Sequence, residues 1–339
     1  MIRLPEFRYY TPKTLKEAVK ILNSEGEKAK IVAGGTDLFP NMKRRIQTPS
    51  VLVSLQQVKE LHRKISYTKI NGDQEKRLVI PSGLTLSEVC ENRLIRENYP
   101  FISKTASSIA TPLIRNMGTI GGNLCLDTRC TYYNQSLEWR ESVDFCMKAP
   151  EGKLDIPCRA APGSPRCVAA NSSDTAPLFC ALEAEFHIVS QEGERTIKAA
   201  EFYREDGEFY LNKKAEEILS EITLPSSENL HAVYLKLRRR GSFDFPVLGA
   251  AAVLKMTGKK IKEAKIFLNA VSSAPIEVFE SEKALIGTEL EEEKILEAAE
   301  SARQSAKPFD NTDFYPHWRK EMVGVLLKRA LLELKSRKT

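Results

Sequence analysis

The sequence of 339 residues has no apolar run long enough to cross a membrane. One of its longest apolar stretches, VLGAAAVL from Val247 to Leu254, falls far below the roughly 18 residues that a bilayer span requires. The N-terminal stretch MIRLPEFRYY has neither an apolar core nor a small-residue cleavage site, so no signal peptide is predicted. We therefore expect a cytoplasmic protein without membrane association, whose thiols stay reduced.

The chain also lacks a strong excess of charge of either sign. Its 51 Lys and Arg residues against 45 Asp and Glu residues give a net charge of +6. Basic and acidic residues are interleaved, and aromatic residues do not alternate with bases, so nucleic-acid binding is not expected. A charged subunit interface or a site for an anionic cofactor explains the small surplus better.

Several common catalytic patterns are missing as well. No Ser-His-Asp arrangement or carboxylate pair stands out, so no catalytic residue is assigned on this chain. Rossmann and P-loop fingerprints, a molybdopterin site and the cysteine pattern of a two-iron cluster are all absent. His187, in a predicted strand, is expected to be structural. The four histidines are scattered without ligand spacing: His62, His187, His231 and His317.

Hydrophobic periodicity predicts an α+β protein without internal repeats. A capping box of Thr85 and Glu88 opens one helix, and the others are expected at 14–23, 101–110, 177–184, 277–286, 291–305 and 317–336. Strands are expected at 30–33, 51–55, 78–81, 185–189, 232–237, 247–255 and 262–271. Pro225 and the polar residues after it mark a boundary, which predicts two domains, 1–226 and 227–339.

Two glycine-rich turns are the first candidates for a ligand site. Residues 32–38 read VAGGTDL after a predicted strand, and residues 117–123 read MGTIGGN. Glycine lets the backbone approach a ligand closely, and consecutive N–H groups in such turns bind anions such as a diphosphate. One glycine pair alone is more simply a tight turn. Two of them, with Thr36 and Thr119 beside the glycines, favour a dinucleotide held between the turns.

Cysteines are concentrated in one segment, residues 130–167. This segment has few aliphatic residues and four prolines, so we expect it to form neither a packed helix nor a continuous sheet. Bound metal would order it, because the free energy of metal binding becomes folding free energy. Four of the seven cysteines lie there: Cys130, Cys146, Cys158 and Cys167.

The spacing alone leaves an iron–sulfur cluster, a structural zinc ion and no metal all open. Zinc ribbons and fingers use CxxC pairs, which the segment lacks, whereas iron–sulfur ligation tolerates wide spacing. Cys125 is the one plausible substitute ligand, although it is more simply a small buried residue. Cys90 and Cys180 are predicted to be inert core thiols.

Four motifs carry a family resemblance: IVAGGTDLFPNMK, ATPLIRNMGTIGGNL, SSDTAPLFCALEAEF and YLKLRRRGSFDFPVLGAAAV. In this order they resemble the flavin-binding medium subunit of molybdenum hydroxylases, the family of xanthine dehydrogenase and carbon monoxide dehydrogenase. The resemblance extends from about Pro5 to Leu332. It implies an α+β fold, with a two-subdomain FAD-binding domain of the vanillyl-alcohol oxidase (PCMH) type followed by a small C-terminal domain of the CO dehydrogenase flavoprotein type.

The resemblance also implies roles for individual residues. Asp174 would contact the cofactor, unless it only caps the chain before Pro177. Lys236 would lie near the isoalloxazine, where a cation stabilises reduced, anionic flavin; the adjacent Arg238 to Arg240 are expected at an interface or in solvent. The pyrophosphate would be wrapped by Val32, Ala33, Gly34, Gly35, Thr36, Asp37 and Leu38. The other side of the diphosphate and the ribityl chain would be lined by Thr111, Gly118, Thr119, Gly122 and Asn123.

The cysteine segment narrows the resemblance further. DTRCTYYNQS and the cysteines after it resemble an insertion that carries a [4Fe–4S] cluster in the β subunit of 4-hydroxybenzoyl-CoA reductase. This implies a cluster-binding loop at about 125–170 with Cys130, Cys146, Cys158 and Cys167 as ligands. The gap between Cys146 and Cys158 is longer than expected, but the extra residues are loop-like.

The resemblance therefore implies the electron-transfer subunit of a 4-hydroxybenzoyl-CoA reductase, with FAD and one [4Fe–4S] cluster. The aromatic hydroxyl would be reductively removed at a molybdenum cofactor on another subunit. Electrons would pass from a ferredoxin-like donor to a [2Fe–2S] small subunit and a molybdopterin-binding large subunit, in an α2β2γ2 heterohexamer. The alternative is an oxidising molybdenum hydroxylase, with electrons flowing outward. The non-enzymatic alternative is a scaffold subunit that binds no flavin and whose cysteines only stabilise a loop.

Overall fold

The computed structural model describes residues 2–69 and 76–336 and contains both helices and sheets, as the α+β prediction requires. The chain begins with a small parallel sheet in the order β1-β3-β2. Its strands are β1 (Arg8–Tyr10), β2 (Ala29–Val32) and β3 (Val51–Ser54). Helix α1 (Leu15–Glu25) packs Ala18, Val19 and Leu22 against this sheet, as its apolar periodicity predicts.

A five-stranded antiparallel sheet follows, in the order β4-β5-β8-β6-β7. Its central strand β8 joins segments that are far apart in the sequence, and the sheet buries one face in the largest core cluster. The strands are β4 (Ser66–Lys69), β5 (Lys76–Pro81), β6 (Glu185–Val189), β7 (Glu194–Lys198) and β8 (Ile218–Leu224).

Short helices cover this core. The capping box is confirmed, because the Thr85 side chain accepts from the Glu88 N–H and the Glu88 carboxylate accepts from the Thr85 N–H. The helices are α2 (Leu38–Lys43), α3 (Leu86–Glu91), α4 (Arg93–Asn98), α5 (Pro100–Ser107), α6 (Pro112–Arg115), α7 (Ile120–Leu124), α8 (Leu137–Ser142), α9 (Ala176–Ala181) and α10 (Ala199–Phe202).

The C-terminal part is an antiparallel sheet, in the order β12-β11-β10-β9, with three helices packed on one side. The strands are β9 (Leu230–Leu237), β10 (Leu248–Thr257), β11 (Lys260–Asn269) and β12 (Ile276–Glu277). The helices are α11 (Phe279–Leu285), α12 (Glu292–Ser305) and α13 (Pro316–Ser336). No helix within the described ranges is long and apolar enough to cross a membrane.

Three local predictions need correction. Helix α5 ends at Ser107 rather than 110, because Ala110 has a φ of 48° that leaves the helical region. The helix predicted at 277–286 begins only at Phe279, because Ile276 and Glu277 pair with β11. The cysteine segment does contain one helix, α8, whose N-terminus is capped by the Ser136 side chain.

Candidate functional site

A large cleft of about 1420 Å³ opens between the two predicted glycine turns. It exceeds the roughly 300–1,000 Å³ of pockets for drug-sized ligands, so a molecule of dinucleotide size fits it. Twelve of the fourteen residues predicted to bind the cofactor line it: Val32, Ala33, Gly34, Gly35, Thr36, Asp37, Leu38, Gly118, Thr119, Gly122, Asn123 and Asp174.

The two turns meet through their backbones. A Cβ built on Gly34 would lie 1.8 Å from the carbonyl oxygen of Met117, so only glycine permits this approach. Gly35 follows with a φ of +69°, which favours glycine. In the second turn the Thr119 side chain accepts a hydrogen bond from the Gly122 N–H. The N–H groups of Gly118, Ile120, Gly121 and Asn123 also donate to carbonyl oxygens of the protein, so these amides of the second turn shape the wall of the cleft.

Two basic side chains in the cleft, those of Arg129 and Lys30, were not predicted as site residues from the sequence. Arg129 forms an ion pair with Asp37 of the first turn, and its guanidinium lies 4.2 Å from the ring centroid of Phe245. Burial raises the pKa of Asp37, and the positive charge of Arg129 opposes that rise. Lys30 also lines the cleft, where desolvation lowers its pKa. The only sequence signal for Arg129 is its position directly before Cys130.

Asp174 joins the cleft to the C-terminal sheet. The Lys236 ammonium lies 2.8 Å from Asp174 Oδ2, and the Tyr234 hydroxyl donates to Oδ1 at 2.9 Å. Burial raises the pKa of Asp174, and Lys236 opposes that rise. Because both carboxylate oxygens are used in this way, the hydrogen bonds of Asp174 are not those of a helix cap.

Two predicted cofactor residues do not line the cleft. Lys236 lies behind Asp174, with its side chain 5% exposed. Thr111 caps helix α6, accepting a hydrogen bond from the Ile114 N–H. Their roles toward a cofactor stay predictions. Asn123, by contrast, has a second function within the protein, because its side chain accepts a hydrogen bond from the Thr175 hydroxyl at 2.6 Å.

The four cysteines of the segment 130–167 converge on one small void of about 10 Å³. All four are free thiols and buried. The sequence predicts that these four cysteines converge on one centre, and the structure brings them together around this void, although the chain between them is mostly turns with the one short helix α8. We call this void the thiol pocket; it is lined by Cys130, Cys146, Cys158 and Cys167 together with Tyr132, Tyr133, Met147, Lys148, Arg159 and Ala160.

Backbone N–H groups lie near each sulfur of the thiol pocket, and that of Ala169 donates to Cys167 Sγ at 3.5 Å. Burial raises the pKa of Cys130 to about 11, and amide hydrogen bonds oppose that rise. The Cys167 thiol donates a hydrogen bond to Cys158, which lowers the pKa of Cys158 despite its partial burial. N–H groups aimed at sulfur favour the thiolate, which is the form that binds metal. The N–H groups near the sulfurs are those of Tyr132 and Tyr133 at Cys130, Lys148 and Ala149 at Cys146, Ala160, Ala161 and Val168 at Cys158, and Ala169 at Cys167.

The other three cysteines lie elsewhere. Cys125 lines the large cleft and packs against the main core, and burial raises the pKa of its thiol to about 11. Cys90 and Cys180 lie on helices α3 and α9 within or against the same core. Across residues 2–69 and 76–336, no group of three or more His, Cys, Asp or Glu side chains is arranged to hold a single metal ion, and this includes the four thiols of the thiol pocket.

Comparison with known protein families identifies the class. Residues 5–227 match the family described as "FAD binding domain in molybdopterin dehydrogenase", and residues 232–334 match the "CO dehydrogenase flavoprotein C-terminal domain". The chain therefore belongs to the family of FAD-binding medium subunits of molybdenum hydroxylases.

Individual relatives span the whole chain. The carbon monoxide dehydrogenase medium chain of Afipia carboxidovorans is 29% identical over 98% of this chain and 97% of its own length. The glyceraldehyde dehydrogenase medium chain of Sulfolobus acidocaldarius is 24% identical over 97% and 99%, respectively. A crystal structure of cyanide-inactivated Cu,Mo-CO dehydrogenase superimposes with a TM-score of 0.77 at 28% identity, covering 99% of this chain and 100% of the other.

Proposed function

We propose that this chain is an electron-transfer subunit that holds FAD in the large cleft and a [4Fe–4S] cluster in the thiol pocket. The observation that carries the proposal is that two separate sites adjoin each other. Cys130 lines both the thiol pocket and the large cleft.

We further propose that residues 1–226 form the FAD-binding domain, with the cluster loop at about 125–170, and residues 227–339 the C-terminal domain.

The cleft suits FAD in size and in chemistry. The first glycine turn brings backbone amides to the opening, which suits a diphosphate, whereas the amides of Gly118, Gly121 and Gly122 in the second turn donate within the protein. Arg129 and Lys30 add positive charge at the same place, although Arg129 is partly neutralised by Asp37. The Nε atom of Arg129 is buried without a hydrogen-bond partner in the protein, so it remains available to a bound anion.

The thiol pocket suits an iron–sulfur cluster in its donor set. Four thiols with backbone N–H groups near each sulfur form a set that favours thiolates, and hydrogen bonds to sulfur, such as that from the Ala169 N–H to Cys167 Sγ, are one of the means by which proteins set cluster potentials. The absence of CxxC pairs favours a cluster over zinc. Because the void is small, the loop must expand around a four-iron cluster.

When bound, FAD and the cluster supply the electron-transfer chemistry, and the protein binds and positions them. Asp174, held by Lys236 and Tyr234, presents a fixed carboxylate to the cleft. Asn123 ties the second glycine turn to residues 173–175. These contacts fix the two sides of the cleft relative to each other and to the C-terminal sheet.

The relatives support a flavin subunit of an oxidising complex. Their names describe medium chains of carbon monoxide dehydrogenase and glyceraldehyde dehydrogenase, which implies partner chains for this protein too. We propose that the partners are a molybdopterin-binding large subunit and a [2Fe–2S] small subunit, in a heterohexamer. In such a complex, electrons leave the substrate and pass outward to an acceptor.

The cysteine segment favours a second candidate, a reductase that acts on 4-hydroxybenzoyl-CoA. A cluster of tunable low potential suits the reductive removal of an aromatic hydroxyl, which requires strongly reducing electrons. A ferredoxin-like donor would then supply the complex. The feature that favours this reductase is the loop from Cys130 to Cys167, together with the DTRCTYYNQS motif at its start.

Anaerobic reductive titration tests the proposal. With both groups bound, the chain takes up about three electrons, two into FAD and one into the cluster. A capacity of about two electrons would contradict the cluster. The complex that purifies with the chain then separates the two candidates: turnover of 4-hydroxybenzoyl-CoA with a reduced dye supports the reductase, and dye reduction by carbon monoxide or aldehydes supports the oxidising enzyme.

A further inference from the structure

A buried ion pair lies in the wall between the two sites. Lys148 Nζ is 2.6 Å from Asp127 Oδ1, and the two side chains are 6% and 10% exposed. The Gln47 amide and the Tyr133 hydroxyl donate to Asp127 Oδ2 at 2.8 Å and 2.9 Å. Lys148 also donates to the Gly207 carbonyl at 2.8 Å. These contacts hold both charges in place.

The pair is oriented across the wall. Lys148 lines the thiol pocket and not the large cleft, whereas Asp127 lines the large cleft and not the thiol pocket. The positively charged residue of the pair therefore borders the four thiols, and the negatively charged residue borders the predicted FAD site. Near the cleft, Asp127 also faces the positive charge of Lys30.

A second cation borders the thiol pocket, but it is differently placed. Arg159 donates to the carbonyl oxygens of Phe145 and Asp144, each at 2.7 Å, and its side chain is 27% exposed. Solvent screens such a charge, whereas a buried charge acts in a medium of lower dielectric constant. Lys148 is therefore the stronger electrostatic influence on the pocket.

We propose that Lys148 and Asp127 form a fixed dipole that sets the reduction potential of the cluster held by the four cysteines. This inference rests on the proposed function. Reduction adds one negative charge to the cluster. The nearby ammonium stabilises that charge and raises the potential, while the carboxylate behind it limits the rise.

Redox titration of the holoprotein, followed by the EPR signal of the reduced cluster, tests the proposal with variants of opposite sign. In Lys148→Met, we expect the ratio of reduced to oxidised cluster at a fixed potential to fall about tenfold, or about 59 mV for one electron. In Asp127→Asn, we expect the ratio to rise, because the ammonium is no longer opposed. General disruption of the site would not give shifts in opposite directions.

Two further variants complete the design. Lys148→Arg keeps the charge and should leave the potential near that of the wild type. Lys148→Met combined with Asp127→Asn removes both charges without leaving either unpaired, and should also return toward the wild-type value. Unchanged potentials in both single variants, with iron fully loaded, would overturn the proposed effect of the Lys148–Asp127 dipole on the cluster. The proposed function would then still stand. Wild-type protein without iron would overturn the proposed function and the dipole with it.

Discussion

Lys236 and Asp174 form a buried ion pair that joins the large cleft to the C-terminal sheet. The Lys236 ammonium lies 2.8 Å from Asp174 Oδ2, and the two side chains are only 5% and 3% exposed. Lys236 lies on strand β9, and Asp174 lies just before helix α9. The pair therefore contributes both to the shape of the cleft and to the attachment of the last third of the chain.

Lys236→Met should destabilise the protein strongly. Removing one partner leaves a buried carboxylate without its counter-charge, which typically costs about 3–5 kcal/mol. Thermal and denaturant unfolding measure the loss. Lys236→Met with Asp174→Asn should regain much of it. The control is Lys255→Met on strand β10, whose exposed pair with Glu263 spans 3.9 Å and should contribute at most about 1 kcal/mol. Equal losses in Lys236→Met and Lys255→Met would contradict the account.

Gly34→Ala should lower FAD occupancy sharply. Its Cβ would lie within 1.8 Å of the Met117 carbonyl oxygen, so the two turns would have to separate. Gly35→Val should abolish FAD binding because a side chain at a φ of +69° and against the Phe39 ring would distort the first turn. Gly241→Ala is the matched control, because a Cβ there would meet no atom within 4 Å. Flavin absorbance per chain is the readout, and normal occupancy in Gly34→Ala would place the diphosphate elsewhere.

Cys146→Ser should lose iron and keep FAD, because the thiol lines only the thiol pocket and the flavin turns lie outside the loop. Cys125→Ser is the control that tests the substitute-ligand alternative. That thiol lines the large cleft and is absent from the thiol pocket, so iron should be retained. Iron and flavin assays on both variants decide the ligand set. Full iron in Cys146→Ser, or loss of iron in Cys125→Ser, would show that the assignment is wrong.

Gly207→Ala should also reduce iron content, although Gly207 lies far from the cysteines in sequence. A Cβ there would lie 2.8 Å from the Cys167 sulfur and 2.6 Å from the Ala169 nitrogen, the amide that faces that sulfur. Gly163→Ala, inside the cysteine segment but in open space, should have no effect. If the two variants retain equal iron per chain, the packing of Gly207 against the pocket does not matter for binding.

Glu282 should make stability depend on pH. Burial raises its pKa from 4.5 to about 7, so the folded state binds a proton more tightly than the unfolded state. Its contribution is fully present below the unfolded pKa and is lost as the pH rises through about 7. Unfolding measured between about pH 5 and pH 8 should show falling stability.

Two variants separate Glu282 from other titrating groups. Glu282→Gln should flatten the pH dependence of the unfolding free energy. Glu280→Gln, an exposed residue of the same helix, should leave it unchanged. The account would be contradicted if both variants kept the wild-type slope.

The sequence predicted elements whose signals are local. The capping box at Thr85, strand β6 and the glycine turns each depend on residues a few positions apart, and the structure contains all three. Strand β8 was missed. It lies at the centre of the five-stranded sheet between β5 and β6, and its place there depends on pairing with distant segments rather than on its own pattern.

The candidate site was likewise predictable only where its residues belong to local motifs. The residues of the glycine turns and the four cysteines follow from motifs, but the ion pairs around them do not. Arg129 and Asp37 are 92 residues apart, and Lys148 and Asp127 are 21 residues apart. A charged residue in a loop is most simply solvated, so only the folded structure shows which of these charges are buried and paired.

The most direct test of the account is the iron, zinc and flavin content of anaerobically purified protein, measured with its EPR spectrum after reduction. We predict about four irons and one FAD per chain, with an S = 1/2 signal that appears on reduction. One FAD with zinc in place of iron, or with no metal, would contradict the assignment of the four cysteines to a [4Fe–4S] cluster.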